Sequence, residues 1–276
     1  DKGHEYSFDP VKIQSDDSAF LQYTGGTTGV AKGAILTHRN IIANMLQISE
    51  WIKPLFTDSN KAETIITALP LYHIFSLTVN CMTMMYYGAE SVLITNPRDI
   101  PGFIKELQKK PITIFGGLNT LFNALMNHDD FSKIDGSGLK LTIAGGMALQ
   151  TSVGQKWEEI TGCRISEGYG LTETSPVAAV NPLDEKGQYG TIGVPVPSTL
   201  MKIVGEQGQD LGYEEEGEIC IKGPQVMKGY WQRPEETKKV IDDDGWFHSG
   251  DIAIQQPDGF FKIVDRKKDM ILVSGF

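Results

Sequence analysis

A glycine- and threonine-rich segment near the start of the chain has the composition of a phosphate-binding loop. It covers residues 23–33, YTGGTTGVAKG, and its glycines let the backbone approach an anion with N–H groups turned inward. Threonine hydroxyls add further donors, and Lys32 adds a positive charge. Because Ala31 and Gly33 flank this lysine, the Gly-Lys-Ser/Thr ending of a Walker A loop is absent. The segment predicts a polyphosphate site of another type, although a glycine-rich hairpin turn has the same composition.

A second segment, residues 167–174 with the sequence EGYGLTET, directly follows a predicted strand at 163–166. Tyr169 offers an aromatic face on which a base can stack, and Thr172 offers a hydroxyl. Glu173 offers a hard oxygen ligand of the kind that Mg²⁺ prefers. Taken alone, Glu173 also fits an ordinary solvated loop carboxylate.

Two charged segments lie near the end of the chain. In residues 245–253, GWFHSGDIA, Asp251 follows a Ser-Gly turn and precedes a predicted strand. A carboxylate there can accept both hydroxyls of a ribose, although an Asp that caps a turn has the same position. Residues 263–276, IVDRKKDMILVSGF, contain the densest basic run of the chain, which also fits a solvated turn.

His73 lies between aromatic residues in the segment 69–75, LPLYHIF. A lone histidine beside aromatic side chains is typical of packing. The sequence contains no Ser-His-Asp order and no His/Cys cluster with the spacing of metal ligands.

The elements that must position these segments alternate between strand and helix in the first part of the chain. β-branched runs predict buried strands at 65–69, 91–95, 112–115, 139–144 and 163–166. Helices are predicted at 38–53 with Thr37 as the N-cap, at 75–87, at 100–109 with Asp99 as the N-cap, at 118–127 and at 150–161. Gly88 and Gly162 are the predicted left-handed residues that end the second and the last of these helices. Such alternation implies a parallel sheet, whose ligands collect at the carboxyl ends of the strands.

After residue 182, short strands and glycine-rich turns dominate. Strands are predicted at 190–204, 217–222, 246–248, 252–256 and 260–264. The predicted fold class is therefore α/β. A parallel-sheet α/β subdomain, residues 1–182, precedes a small antiparallel β-barrel-like subdomain, residues 183–265.

Composition excludes several classes of protein. Of the 276 residues, 40% are hydrophobic and 22% are charged, which is ordinary for a chain with a folded core. The net charge of −10 disfavours nucleic acid as a partner and general adhesion to an anionic membrane. Three widely spaced cysteines, Cys81, Cys163 and Cys220, favour a reduced, cytoplasmic compartment.

Together and in this order, the segments at 23–33, 167–174, 245–253 and 263–276 resemble the signature set of the adenylate-forming enzymes. The stretches 69–75, 94–101, 116–125 and 223–234 are most similar to bacterial long-chain fatty-acid–CoA ligases. Members of this family are longer, with a portion before this segment and a small mobile domain after it. The resemblance implies that residues 266–276 form the hinge and the start of that domain. We therefore expect that the chain is a piece of a longer protein.

The resemblance implies a role for each candidate residue. The β- and γ-phosphates of ATP would be held by Thr24, Gly25, Gly26, Thr27, Thr28, Gly29 and Lys32. The adenine pocket would be lined by Gly145, Gly146 and Met147, and the base would stack on Tyr169. Glu167, Gly168 and Gly170 would belong to the same ATP- or AMP-binding set. Thr172 would contact the α-phosphate and Glu173 would bind Mg²⁺, and these two are the predicted catalytic residues. The ribose would be held by Asp251 with Arg266, the hinge lysine would be Lys268, and the acyl site would be flanked by His73 and Asn119.

Two positions depart from the family pattern. Ala31 replaces a proline that many relatives have, which implies a difference in stiffness only. Leu272 stands where some relatives have a second lysine, so no nucleotide contact is transferred to it. The catalytic lysine that family members carry on the carboxy-terminal domain lies outside residues 1–276, and the chain alone is therefore predicted to be inactive.

The function implied by the resemblance is the activation of a long-chain fatty acid with ATP and its transfer to coenzyme A. Alternatives are an acyl-AMP ligase that loads a carrier protein, a nucleotide-binding module without turnover, and an α/β domain of another function. The predicted location is the cytoplasm, with peripheral association at the inner membrane as the alternative.

Overall fold

The computed structural model describes residues 9–24, 31–56 and 62–266, and of Asp265 and Arg266 it describes the backbone. The strands are β1 (Ser18–Thr24), β2 (Lys32–Thr37), β3 (Thr64–Thr67), β4 (Glu90–Leu93), β5 (Ile114–Gly117), β6 (Leu141–Ala144), β7 (Ile165–Gly170), β8 (Val177–Val180), β9 (Val194–Pro195), β10 (Leu200–Val204), β11 (Gly217–Lys222), β12 (Gly229–Tyr230), β13 (Phe247–Gln255) and β14 (Phe261–Arg266). The α-helices are α1 (His38–Ile52), α2 (Met84–Tyr86), α3 (Ile100–Leu107), α4 (Asn119–Met126), α5 (Thr151–Thr161) and α6 (Pro234–Lys238).

The largest sheet has seven strands in the order β4-β3-β5-β6-β7-β8-β9. Its first five strands are parallel, and β8 and β9 continue it in antiparallel pairing. Helices α3, α4 and α5 follow strands of this sheet and bury an aromatic cluster against it, in which Phe115 and Phe122 pack on Trp157. The predicted α/β fold with a parallel sheet is confirmed.

Local signals define the ends of the helices. Thr37 caps α1 in a capping box with Asn40, and Asp99 caps α3 by accepting a hydrogen bond from the Gly102 N–H. Gly162, in the left-handed conformation, ends α5. These three predictions are confirmed because each depends only on residues within one turn of the helix end.

The predicted helix at 75–87 is present but has an unexpected geometry. A π-helix, Ser76–Thr83, leads into α2, and Gly88 follows with a φ of 67°. The wider turn buries polar side chains on the sheet side, among them Asn80, whose side chain lies against Gly116 of β5.

The second part of the chain forms an antiparallel, half-barrel sheet in the order β10-β11-β13-β14. The prediction of two separate strands at 246–248 and 252–256 is wrong, because the single strand β13 joins most of both. The single strand predicted at 190–204 is also wrong, because β9 and β10 occupy only parts of it. Gly250, with a φ of 78°, lies where the register with β11 shifts, so the Ser-Gly pair forms a bulge inside a strand instead of a turn. The bulge directly precedes Asp251 and so sets the direction of this side chain.

A third, three-stranded sheet joins distant parts of the chain, since β12 pairs with β2 and β2 pairs with β1. This pairing brings the segment 227–231 to the strand that follows the predicted phosphate loop. In the described part of the chain, no helix is long and apolar enough to cross a membrane.

Candidate nucleotide site

The carboxyl edge of the parallel strands collects most of the predicted site residues. Gly145 directly follows β6, and its N–H lies 3.4 Å from the carbonyl oxygen of Gly117 in β5. A Cβ on Gly145 would lie 3.4 Å from the Phe75 ring, so this loop and the segment that contains His73 are in contact. Gly146 has a φ of 80°, which turns the loop away from the strand direction. Met147 is half-buried beside it.

Two buried side chains hold the far end of this loop. The Asn119 Oδ1 accepts from the Gln150 N–H at 2.9 Å, and the Glu167 Oε1 accepts from the Leu149 N–H at 3.3 Å. The start of α5 has no side-chain cap of its own, so these two contacts fix where the loop ends. Asn119 thus supports the loop after β6, and its predicted place beside the acyl group stays a prediction.

Glu167 is a buried acid with an incomplete set of partners. Its second oxygen, Oε2, is buried and has no hydrogen-bond partner among the described residues. Burial raises the pKa of this carboxyl from 4.5 to about 7, and the hydrogen bond from Leu149 opposes the rise only in part. The site therefore contains a carboxyl group that changes its charge near neutral pH.

Replacing Glu167 by Gln in the full-length protein is expected to stabilise it at pH 8 and to change little at pH 4. A carboxyl whose folded pKa is raised favours folding below its unfolded pKa and loses that contribution as pH rises through the folded value. The shift from 4.5 to about 7 corresponds to at most about 3 kcal/mol. Thermal unfolding of both proteins from pH 4 to pH 8 measures the effect. If the melting temperatures of the two proteins differ by the same amount at every pH, Glu167 has an ordinary pKa.

Tyr169 and Asp251 come together although 82 positions separate them in the chain. The Tyr169 hydroxyl donates to the Asp251 Oδ2 at 2.6 Å, and Asp251 is buried. Asp251 in β13 is also the register partner of Arg266 in β14. The structure thus places the residues predicted for base and ribose side by side, while the Arg266 side chain lies outside the described residues.

The loop after β7 makes a tight turn that presents Thr172 and Glu173. Gly170 ends β7 where a Cβ would collide with the carbonyl oxygen of Pro176, so only glycine fits there. Thr172 is half-buried at the start of a short 3₁₀ turn, Thr172–Thr174, and Glu173 is buried in the same turn.

Two contacts from the segment 227–230 fix Glu173. The Tyr230 hydroxyl donates to the Glu173 Oε1 at 2.7 Å, and the Met227 N–H donates to the Glu173 carbonyl oxygen at 2.7 Å. Burial raises the pKa of the Glu173 carboxyl, while the Tyr230 hydrogen bond lowers it. Burial disfavours the charged form of this carboxyl group, and a nearby cation would stabilise that form. This property is expected of a metal ligand.

Lys32 already has an anionic partner in this structure. Its Nζ lies 2.7 Å from the Glu236 Oε2 and 5.0 Å from the centre of the Tyr230 ring. Hydrogen bonds from Lys239 and Lys32 lower the pKa of the Glu236 carboxyl to about 2. A phosphate group would compete with Glu236 for Lys32, and the predicted phosphate contact stays a prediction.

Several predicted site residues lie at the ends of the described ranges or outside them. Thr24 ends β1 and Lys32 begins β2, so the predicted phosphate loop connects two paired strands. Residues outside the described ranges are Gly25, Gly26, Thr27, Thr28, Gly29 and Lys268. His73 is exposed, and its Nδ1 lies 3.3 Å from the Phe75 N–H. In the described ranges, no group of three His, Cys, Asp or Glu side chains has the arrangement of a metal centre.

The sequence reasoning missed Tyr230 and Glu236. Both lie in or next to the stretch 223–234 that carries the family resemblance, yet no feature of their local sequence indicates a contact. Tyr230 and Glu173 are separated by 57 positions and meet only because β12 pairs with β2.

Comparison with known proteins finds relatives over nearly the whole chain. The sequence profile described as "AMP-binding enzyme" matches residues 2–231. The "Long-chain-fatty-acid--CoA ligase" of Salmonella typhimurium is 54% identical over 275 residues, which are 99% of this chain and 48% of that protein. The protein of the same name from Haemophilus influenzae is 55% identical over 96% of this chain and 47% of its own length.

Among solved structures, ATP-bound MatB from Rhodopseudomonas palustris superposes with a TM-score of 0.83 at 29% identity. The match covers 98% of this chain and 52% of that one. The chain thus spans about half the length of the curated relatives it matches.

Proposed function

This chain belongs to the AMP-binding enzyme family, and we propose that the full-length protein is an AMP-forming ligase for long-chain fatty acids. One structural observation carries the proposal. Tyr169 with Asp251, the loop at 145–147 and the Glu173 turn converge at one edge of the sheet, where α/β folds bind ligands. The choice of substrate rests on the 54–55% identity to proteins named as long-chain-fatty-acid–CoA ligases.

The proposed reaction has two steps. A fatty carboxylate oxygen attacks the α-phosphorus of ATP, and the bond to the bridging oxygen breaks, so that acyl-AMP forms and pyrophosphate leaves with the electron pair. The thiol of coenzyme A then loses its proton, its sulfur bonds to the acyl carbon, and AMP leaves. Phosphoryl transfer of this kind depends on positioning and charge neutralisation, and it needs no protein nucleophile.

The chain's own residues would bind and orient the nucleotide. The adenine would lie between the loop at 145–147 and the ring of Tyr169, and the ribose hydroxyls would donate to Asp251. Thr172 would donate to the α-phosphate, and Lys32 with the loop at 24–29 would hold the β- and γ-phosphates. The acyl group would extend past His73, whose segment contacts the Gly145 loop through Phe75.

The donor set around Glu173 fits a magnesium ion that arrives with ATP. Mg²⁺ in nucleotide sites is usually held by one or two carboxylates together with phosphates and water. Glu173 is a single buried carboxylate with a raised pKa, and a tyrosine hydroxyl occupies one of its oxygens. The ion, when bound, would neutralise phosphate charge, and Glu173 would hold it.

A pyrophosphate-release assay on the full-length protein tests the proposal. Fatty acids of increasing chain length should cause the protein to release pyrophosphate from ATP in the absence of coenzyme A. Adding coenzyme A should then yield acyl-CoA and AMP. Transfer to a carrier protein in place of coenzyme A would instead identify an acyl-AMP ligase. An absence of acid-dependent pyrophosphate release would exclude both activities.

Replacing Asp251 by Ala is expected to weaken ATP binding by about ten- to a hundredfold. A hydrogen bond to a charged group contributes roughly 1.5–3 kcal/mol, and ribose hydroxyls would lose such an acceptor. The loss of affinity should not exceed this range, because the Tyr169 hydroxyl already donates to Asp251 in the absence of ATP. The ribose would therefore replace an existing hydrogen bond, and the net gain from binding would be smaller. Calorimetric titration with ATP measures the change. A variant with wild-type ATP affinity would show that Asp251 only supports Tyr169 and the bulge of β13.

A further inference from the structure

Helix α1 buries a row of amide side chains beside its apolar residues Ile41, Ile48 and Ile52. Asn40, Asn44 and Gln47 follow one another at spacings of four and three residues, so they share one side of the helix. Their exposed fractions are 8%, 0% and 5%. Buried amides are costly unless their hydrogen bonds are made, so the partners of these side chains are informative.

Asn40 holds the segment 224–226. Its Nδ2 donates to the carbonyl oxygen of Pro224 at 2.8 Å and to that of Val226 at 2.9 Å. Its Oδ1 is used at the helix end, where it accepts from the N–H and the hydroxyl of Thr37. One amide thus joins the helix cap to a segment 184 positions later.

Gln225, which is fully buried, ties the same segment to α1 and to the Glu173 turn. Its Oε1 accepts from the Gln47 Nε2 at 3.2 Å, and its Nε2 donates to the Thr199 hydroxyl at 2.7 Å. Its carbonyl oxygen accepts from the hydroxyl of Ser175, two residues after Glu173, at 2.8 Å.

Asn44 reaches the other side of that turn. Its Nδ2 donates to the carbonyl oxygen of Val177, and its Oδ1 accepts from the Val177 N–H at 3.0 Å. The turn at 172–175 is therefore held between α1 and the segment 224–227. That segment also supplies the Met227 N–H to the Glu173 carbonyl oxygen and leads directly to Tyr230.

From this arrangement we propose that Asn40 and Gln225 are positioning residues for the Glu173 carboxylate. In this proposal they contact neither ATP nor the metal ion. They hold residues 224–227 in place, and this segment in turn positions Glu173 through Met227 and Tyr230. The inference rests on the proposed role of Glu173 as the residue that holds the magnesium ion. Residues that orient a metal ligand typically affect metal affinity by about 10–100-fold when they are removed.

The test uses the full-length protein and measures the affinity of Mn²⁺ for its complex with a non-hydrolysable ATP analogue, by electron paramagnetic resonance. The variant Asn40→Asp keeps an oxygen for the Thr37 cap but loses both donors to the segment 224–226. We expect Mn²⁺ to bind about tenfold more weakly. A new negative charge would by itself favour a cation, so weaker binding would report a displaced Glu173.

Thr37→Ala is the matched control. It removes the hydroxyl that caps α1 and leaves the Asn40 donors in place, so it should lower the melting temperature without changing Mn²⁺ affinity. Gln225→Met is the second variant, which conserves volume and removes the side-chain hydrogen bonds of Gln225. It should weaken Mn²⁺ binding as Asn40→Asp does, and it keeps the test decisive if the aspartate variant does not fold.

Mn²⁺ affinity that follows the melting temperature across all three variants would overturn the inference, because the network would then stabilise the fold only. Wild-type affinity in Gln225→Met would overturn it as well. Glu173→Gln separates this failure from a failure of the proposed function. If that variant also binds Mn²⁺ as the wild type does, the role of Glu173 is wrong. If it binds weakly while Asn40→Asp and Gln225→Met do not, only the positioning role is wrong.

Discussion

Residues 1–276 produced alone are expected to form no detectable acyl-CoA, even with saturating ATP, fatty acid and coenzyme A. The chain spans about half the length of its curated relatives, and the family resemblance puts a catalytic lysine outside it. Correct positioning of reactants contributes roughly 7–11 kcal/mol to lowering a barrier, and one missing charged donor costs about 3–4 kcal/mol more. Losing a large part of both takes the rate far below that of the full-length enzyme.

The same chain is expected to bind ATP weakly, because Tyr169, Asp251 and Glu173 all lie in the part that the structure describes. Calorimetric titration with ATP and a circular dichroism spectrum establish that the tested protein is folded. Acyl-CoA is then measured beside full-length protein at equal concentration. A folded chain with a rate near that of the full-length enzyme would show that the complete catalytic set lies within residues 1–276.

The parts of the fold that the sequence predicted well depend on neighbours in the chain. Thr37 and Asp99 begin their helices and Gly162 ends its helix as expected, because a cap needs only the backbone of the adjacent turn. Four of the five parallel strands begin and end within about two residues of their predicted bounds, since they are short β-branched runs. β7 extends four residues beyond its predicted end, and β4, which was predicted to be buried, is mostly exposed at the edge of the sheet. The sequence could also place the Glu173 loop at the carboxyl edge, because that follows from strand–helix alternation.

Contacts between distant segments could not be predicted in this way. Nothing around Tyr230 or Gln225 indicates a partner, and both meet the Glu173 turn only after β12 has paired with β2. The bulge in β13 was predicted as a turn because Ser-Gly favours both, and pairing with β11 decides between them. The position of Glu173 at the strand end could therefore be predicted from the local sequence. The residues that surround it could not, because they depend on pairing between distant strands.

Replacing Glu173 by Gln in the full-length enzyme is expected to lower the rate of pyrophosphate release by about a hundred- to a thousandfold at limiting Mg²⁺. The amide keeps an oxygen that can accept from Tyr230, so the shape of the site is retained. It lacks the negative charge that would hold the cation, and raising the Mg²⁺ concentration should recover part of the rate. Glu235→Gln is the matched control, because Glu235 is exposed and pairs only with Lys238 among the described residues.

Loss of stability cannot account for the expected loss of activity in Glu173→Gln. Burial raises the pKa of the Glu173 carboxyl, so its ionised form favours the unfolded chain as pH rises above the ordinary pKa of glutamate. The neutral amide removes this cost, and the variant should melt at or above the wild-type temperature at pH 8 and near it at pH 4. A variant that melts in this way but releases pyrophosphate at the wild-type rate at limiting Mg²⁺ would show that the Glu173 charge has no part in the reaction. Its contact with Tyr230 would then serve only to join β12 to the turn after β7.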